Sequence, residues 1–344
     1  MQIDGFDYFL LFSSSFVLVS LITPIMRKIA LRIDFVDRPN LSHKTHKAPV
    51  PYLGGVAIII GILIVSYSGV IIGNTSGVDF EIASSLLFPA TLLGLVGLID
   101  DRKGLSPESR FVAQTIAGIV TAVFLISTDT VGNPTGSVYL DALVTVLWVI
   151  GITNSINFFD NLDGGAAGTL AFVTFGLFVI AQSNGQFFIG ALSVTTLGAV
   201  LGFLLWNKSP ARIYMGDAGA LFLGIVVSVL ALRLDPIVNN KLTSLSIPLL
   251  LLAIPILDTS VAVVSRLRRG ISPFQGGRDH LSHRLIRLGL SKRKTAYVLW
   301  SLSGFYCALG TSTAIYDLNA NTLLIFSLFI WVILFIFFIR RPDV

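Results

Sequence analysis

The chemistry-bearing side chains of this chain fall into a few short stretches. Asn154-Ser-Ile-Asn157-Phe-Phe-Asp160-Asn161-Leu-Asp163-Gly164-Gly165 holds two carboxylates and no basic residue. Its polar positions recur at 154, 157, 160 or 161, and 163, so one helical turn would set them on a common face. A polar seam between helices is the plainer reading. Acids lacking a counter-charge are costly away from water, however, and two of them beside two amides suit a cation or a sugar nucleotide better.

Three further stretches carry charge in patterns that invite chemistry. Asp100-Asp101 closes an apolar run, where the negative end of a helix dipole and mutual repulsion both disfavour paired acids unless a cation or proton is shared. Trp206-Asn207-Lys-Ser-Pro-Ala-Arg-Ile-Tyr214-Met-Gly216-Asp217-Ala-Gly219 places Asp217 at a helix start, either as a simple N-cap or beside amides able to hold a phosphate. Tyr214 there would stack on a base or anchor the interface. Arg278-Asp279-His280-Leu-Ser-His283-Arg284 mixes histidine with arginine, a pairing suited to a diphosphate. His43-Lys-Thr-His46-Lys47 repeats that theme more weakly. Asp258, inside Pro255-Ile-Leu-Asp258-Thr, lies two turns within an apolar run, where it is a functional candidate by default or the partner of a neighbouring helix.

The elements that must position these groups are membrane helices. Of 344 residues, 54% are hydrophobic and 12% charged, against about 25% charged in ordinary soluble domains. Runs near 8–30, 53–73, 83–99, 111–128, 138–156, 166–182, 187–205, 218–234, 246–265, 295–314 and 322–339 each approach the roughly 20 apolar residues that cross the hydrocarbon. This reads as an all-α polytopic protein of about eleven spans forming a single domain over 1–344. The start, Met1-Gln-Ile-Asp-Gly-Phe-Asp, lacks the basic flank of a cleaved leader, and the lone Cys307 excludes an intrachain disulfide or a thiolate cluster. With the N-terminus outside and the C-terminus cytoplasmic, 22 of the 24 Lys and Arg residues fall on the inner side, as the positive-inside rule requires. The net charge of +5 is thus spread over loops facing a cytoplasmic leaflet and is no nucleic-acid footprint.

Taken in this order, the inner-loop motifs resemble the polyprenyl-phosphate N-acetylhexosamine-1-phosphate transferases, from His43 to Arg284 in motifs and over all eleven helices in layout. The resemblance implies transfer of a sugar-1-phosphate, GlcNAc-1-phosphate foremost, from a UDP-N-acetylhexosamine to undecaprenyl or another polyprenyl phosphate. UMP would be released at the cytoplasmic face of a bacterial inner membrane. It implies Mg²⁺, with Mn²⁺ as a substitute, held by Asp217 and Asn157. Asp100 and Asp101 become the catalytic pair that positions or deprotonates the lipid phosphate. Asp160 and Asp163 become contacts to the nucleotide, Asn207 and Tyr214 a uracil pocket, and Lys47, Arg110, His280, His283 and Arg284 contacts to the sugar and diphosphate. A homodimer is left open. Two departures stand out: the family often reads Asp-Gly-x-Asp-Gly where this chain has Asp160-Asn161-Leu-Asp163-Gly164, and Ser282 interrupts the usual histidine cluster. A transporter of nucleotide sugars or lipid phosphates would need polar groups at the midplane, where Asp258 alone qualifies. The CDP-alcohol phosphotransferases share only the Asp160 to Gly164 start.

Overall fold

An apolar helix without a polar face must be enclosed by lipid or by other helices, and both cases occur here. The last helix has a mean hydropathy of 3.0 with 11% of its span buried, whereas the helix after Gly216 has 1.7 with 78% buried. The computed structural model describes residues 4–37, 49–73, 77–127, 136–238, 240–273, 276–316 and 320–341. Its helices are α1 (Gly5–Arg32), α2 (Gly54–Ile72), α3 (Gly77–Lys103), α4 (Pro107–Ser127), α5 (Val138–Phe159), α6 (Gly165–Ser183) and α7 (Phe187–Asn207). There follow α8 (Gly216–Arg233), α9 (Lys241–Leu251), α10 (Ala253–Arg268), α11 (Leu281–Arg287), α12 (Lys292–Ile315) and α13 (Ala320–Ile339). Two short strands, β1 (Val36–Asp37) and β2 (Val50–Pro51), pair antiparallel at the entrance to α2. The chain is an all-α polytopic membrane protein.

Helix α8 forms the centre, packed against α2, α3 and α5. In lipid, helices associate through close backbone approach at small residues rather than by the hydrophobic effect. Glycines supply that approach on two sides of α8. A Cβ on Gly55 would stand 2.2 Å from the Gly219 nitrogen, and one on Gly97 would stand 2.4 Å from the Asp217 carbonyl oxygen. These contacts bring the end of α3 and the start of α2 against the first turn of α8.

Ten of the expected runs are single helices long enough to span, and α6 and α7 are distinct helices joined at Asn184–Gln186. The expected run over 246–265 is not a single helix: α9 and α10 are bent by 75° about Leu252. At about 1.5 Å per residue neither part covers the roughly 30 Å hydrocarbon core alone. Pro255 causes the break, because it has no N–H to give the Leu251 carbonyl. That oxygen instead faces the Cys307 thiol at 3.5 Å, and the Ala253 carbonyl accepts from the Trp331 indole at 3.1 Å. The freed Leu251 carbonyl is thus taken up by a neighbouring helix, as the bilayer demands.

Candidate active site

A cavity of about 710 Å³ opens at the end of the bundle where α3, α5, α7 and α10 finish and α4, α8 and α11 begin. Asp100, Asp101, Arg110, Asn157, Asp160, Asp163, Asn207, Tyr214, Asp217, His280 and His283 all line it. Eleven of the thirteen site residues expected from the sequence therefore converge. Lys47, with His43 and His46, lies outside the described residues.

The carboxylates divide their tasks. Gly216 adopts φ +70, and a Cβ there would meet the Asp101 carboxylate at 2.5 Å, so glycine lets the chain turn over that side chain into α8. Asp101 accepts from the backbone N–H of Asp217 at 2.9 Å and of Ala218 at 3.2 Å. It caps α8 from another helix, and its charge at the unfavourable C-terminal end of α3 is balanced by the positive start of α8. The amides expected to receive a phosphate there are occupied by Asp101. Asp100 is buried, with one oxygen accepting from the Leu105 N–H at 2.6 Å. Its other oxygen has no hydrogen bond among the described residues and faces the Arg110 guanidinium at 3.4 Å. Arg110 also reaches Asp217 at 3.9 Å.

Asn157, in the last turn of α5, donates from its amide to Asp217 at 2.7 Å, while Asn154 turns toward Gln114 of α4 at 2.6 Å. Asp160 ends α5, and burial together with the charges of Asp217 and Asp163 pushes its carboxyl up to about 7. Asp163 accepts from the Ala211 N–H at 3.2 Å. Asn207 is buried, accepting from the Gly164 N–H at 3.0 Å and donating to the Ile213 carbonyl at 2.9 Å. It braces two loops of the cavity. Tyr214 keeps its ring on the cavity, 6.1 Å from that of Tyr52, a lining residue that sequence reasoning passed over.

The histidine stretch is built around Asp258, which is fully buried. One of its oxygens accepts from the Leu281 N–H at 2.7 Å, and the other meets His280 Nδ1 at 2.7 Å. His280 Nε2 lies 3.2 Å from the Arg266 guanidinium, which can only donate. The His280 proton therefore sits on Nδ1 and goes to Asp258, and both ring nitrogens are committed within the protein. Arg266 also grips Asp279 through two bonds of 2.8 Å. Arg284 is placed differently from expectation: it is buried away from the cavity. Its guanidinium donates to the carbonyls of Asp279 at 2.9 Å and Phe338 at 2.8 Å, to that of Arg341, and to the Ser265 hydroxyl at 2.6 Å. An arginine in this short helix carries five donors, and here two carbonyls at the end of α13, the Asp279 carbonyl and the Ser265 hydroxyl take them up. His283 remains on the cavity wall, and burial and then His280 drive its imidazole down to about 4, leaving it neutral at pH 7.

Among the described residues no three His, Cys, Asp or Glu side chains form a metal-holding group. That fits a structural zinc poorly. Mg²⁺ is different, since it is held by one or two carboxylates with water and substrate phosphates completing the shell. The acid and amide at Asp217 and Asn157, beside the Asp100 oxygen that faces Arg110, are a donor set of that kind.

Residues 83–235, from α3 through α8, match the family described as Glycosyl transferase family 4. Over nearly its whole length, 95% of this chain and 87% of the relative, the chain is 35% identical to the "Probable undecaprenyl-phosphate N-acetylglucosaminyl 1-phosphate transferase" of Bacillus subtilis. The chain belongs to glycosyl transferase family 4, the polyprenyl-phosphate N-acetylhexosamine-1-phosphate transferases. Other members of family 4 agree. Identity is 30% to the "Decaprenyl-phosphate N-acetylglucosaminephosphotransferase" of Mycolicibacterium smegmatis, over 85% of this chain and 78% of that one. It is also 30% to the "Undecaprenyl-phosphate alpha-N-acetylglucosaminyl 1-phosphate transferase" of Yersinia pestis, over 88% and 81%. The family 4 match spans every carboxylate of the cavity from Asp100 to Asp217 and stops short of the histidine stretch.

Proposed function

We propose that this protein transfers GlcNAc-1-phosphate from UDP-GlcNAc to a polyprenyl phosphate, releasing UMP. The observation that carries the reading is the Asp217 cluster: carboxylates of Asp100, Asp160 and Asp217 share a cavity, and Arg110 is the cation beside Asp100 and Asp217. Such a wall is poised for added positive charge. When bound there, Mg²⁺ would neutralise the diphosphate, with Asp217 and Asn157 as its protein ligands and Mn²⁺ as a substitute.

A lipid phosphate has a second pKa near 6 and is largely ionised at pH 7, so its oxygen attacks the phosphorus next to the sugar with little need of a base. Repulsion between anions is the larger barrier, and positioned cations lower it. Arg110, between Asp100 and Asp217, is placed to hold an incoming phosphate beside them. The Asp100 oxygen that faces Arg110 without a hydrogen bond accepts any proton that the monoanionic phosphate still carries. Asp101 acts through α8, fixing Asp217 by its cap. Tyr214 and Tyr52 offer ring faces for the uracil.

We place the cavity end in the cytoplasm of a bacterial inner membrane, because the basic loops gather there and the donor is a cytosolic nucleotide. A transport reading rested on Asp258, and both of that residue's oxygens are engaged by the histidine stretch. The test is a radiolabel assay with purified protein, polyprenyl phosphate, Mg²⁺ and a panel of UDP-N-acetylhexosamines. Lipid-linked GlcNAc with stoichiometric UMP supports the proposal, and transfer with no donor in the panel overturns it.

A further inference from the structure

The two positions at which the sequence departs from its family's commonest pattern, Asn161 and Ser282, are 121 residues apart and touch in the fold. Ser282 Oγ hydrogen-bonds to Asn161 Oδ1, joining the loop after α5 to the first turn of α11. Donor and acceptor rules then fix every proton along a short chain. The Phe158 carbonyl can only accept, so the group 2.6 Å from it is the Asn161 Nδ2 amine, and Oδ1 must face Ser282. Oδ1 likewise only accepts, so the one hydroxyl proton of Ser282 points to it. Ser282 Oγ is left presenting lone pairs to His283 Nδ1, 3.3 Å away. A ring nitrogen facing a lone pair is favoured as N–H, and the other nitrogen of a neutral imidazole is then an acceptor.

His283 Nε2 has no partner among the described residues, and the side chain lines the cavity. An acceptor is the wrong group for an ionised diphosphate, whose oxygens also only accept. Sugar hydroxyls and the N–H of an acetamido group donate, and they suit it. A site whose polar atom awaits a donor rejects an isomer lacking one, because that atom is left unpaired.

We infer that Asn161 and Ser282 form a proton-ordering latch that holds His283 as its Nδ1–H tautomer, so that Nε2 accepts a hydrogen bond from a hydroxyl or acetamido N–H of the transferred sugar. The inference rests on the proposed donor, UDP-GlcNAc, and assigns His283 to the sugar rather than to the diphosphate. Asn161 and Ser282 are positioning residues, since they act through His283.

The chain has four histidines, which makes ¹⁵N-histidine spectra of the full-length protein at pH 7 tractable, with His283→Gln identifying the signal. The latch predicts a protonated Nδ1 and bare Nε2 at His283, a mixture of tautomers in Ser282→Ala, and retention in Ser282→Thr. Calorimetric titrations should show Ser282→Ala and Asn161→Gly weakening UDP-GlcNAc about tenfold while leaving UMP within about twofold. Equal loss for UMP and UDP-GlcNAc, or no loss for either, would overturn the latch. So would a His283 protonated at Nε2 in the unaltered chain, a result that stands even if the donor proves to be a different nucleotide. Failure of the unaltered chain to bind UDP-GlcNAc counts against the donor assignment, and the tautomer then decides the latch.

Discussion

On the α10–α11 side of the cavity Asp258 accepts two hydrogen bonds and Asp279 is held by Arg266 and Arg269. On the α3–α5–α8 side Asp100 and Asp217 stand beside Arg110, and Asp160 lies near Asp217 and Asp163. The same residue types are fully engaged behind one wall and left in excess on the other. Engaged acids hold a loop in place. Acids in excess hold a binding free energy in reserve, released when a cation arrives with a substrate that needs one.

Substitutions on the two walls should therefore fail in different ways. Asp217→Ala should lower transfer by about a thousandfold or more, the scale of losing a group that stabilises transition-state charge, with little change in melting temperature, as followed by UMP release and thermal denaturation in detergent. Asp258→Ala should do the reverse. It strands His280 Nδ1 and the Leu281 N–H in a buried setting, which costs about 3 kcal/mol of stability, seen as a lower melting midpoint. Asp101→Asn keeps one acceptor oxygen for the α8 cap, so it should cost about 1 kcal/mol and about tenfold in turnover, far less than Asp217→Ala. Equal losses from these two would erase the distinction between capping and binding acids.

The smallest effect concerns pH. His283 is neutral in the fold down to about pH 4, whereas an unfolded histidine takes its proton near 6.5. Its contribution to stability is complete above about pH 6.5 and is lost as the pH falls toward 4. Melting midpoints at pH 7 and pH 5 should thus drop further in the unaltered protein than in His283→Gln.

The helices were legible because an apolar run long enough for the bilayer leaves few alternatives. The break at Leu252 was not, since Pro248 and Pro255 sit within a run that remains apolar throughout. Within the site, Asn157 and Asp217 were read together as ligands, and they meet at 2.7 Å. The capping role of Asp101 was hidden because it depends on a helix start 116 residues away, brought close by glycines whose function is visible only in packing. Arg284 misled for a related reason: it stands in the histidine stretch, but its donors go to the Asp279 carbonyl, the Ser265 hydroxyl and two carbonyls at the end of α13.

The account turns on whether the Asp217 wall takes up a cation together with the donor. Titration of UDP-GlcNAc into the purified protein with and without Mg²⁺, repeated on Asp217→Ala, measures this directly. The account predicts tighter binding with Mg²⁺ in the unaltered chain and no Mg²⁺ increment in the variant. An increment that survives in Asp217→Ala, or none in the unaltered chain, would contradict it.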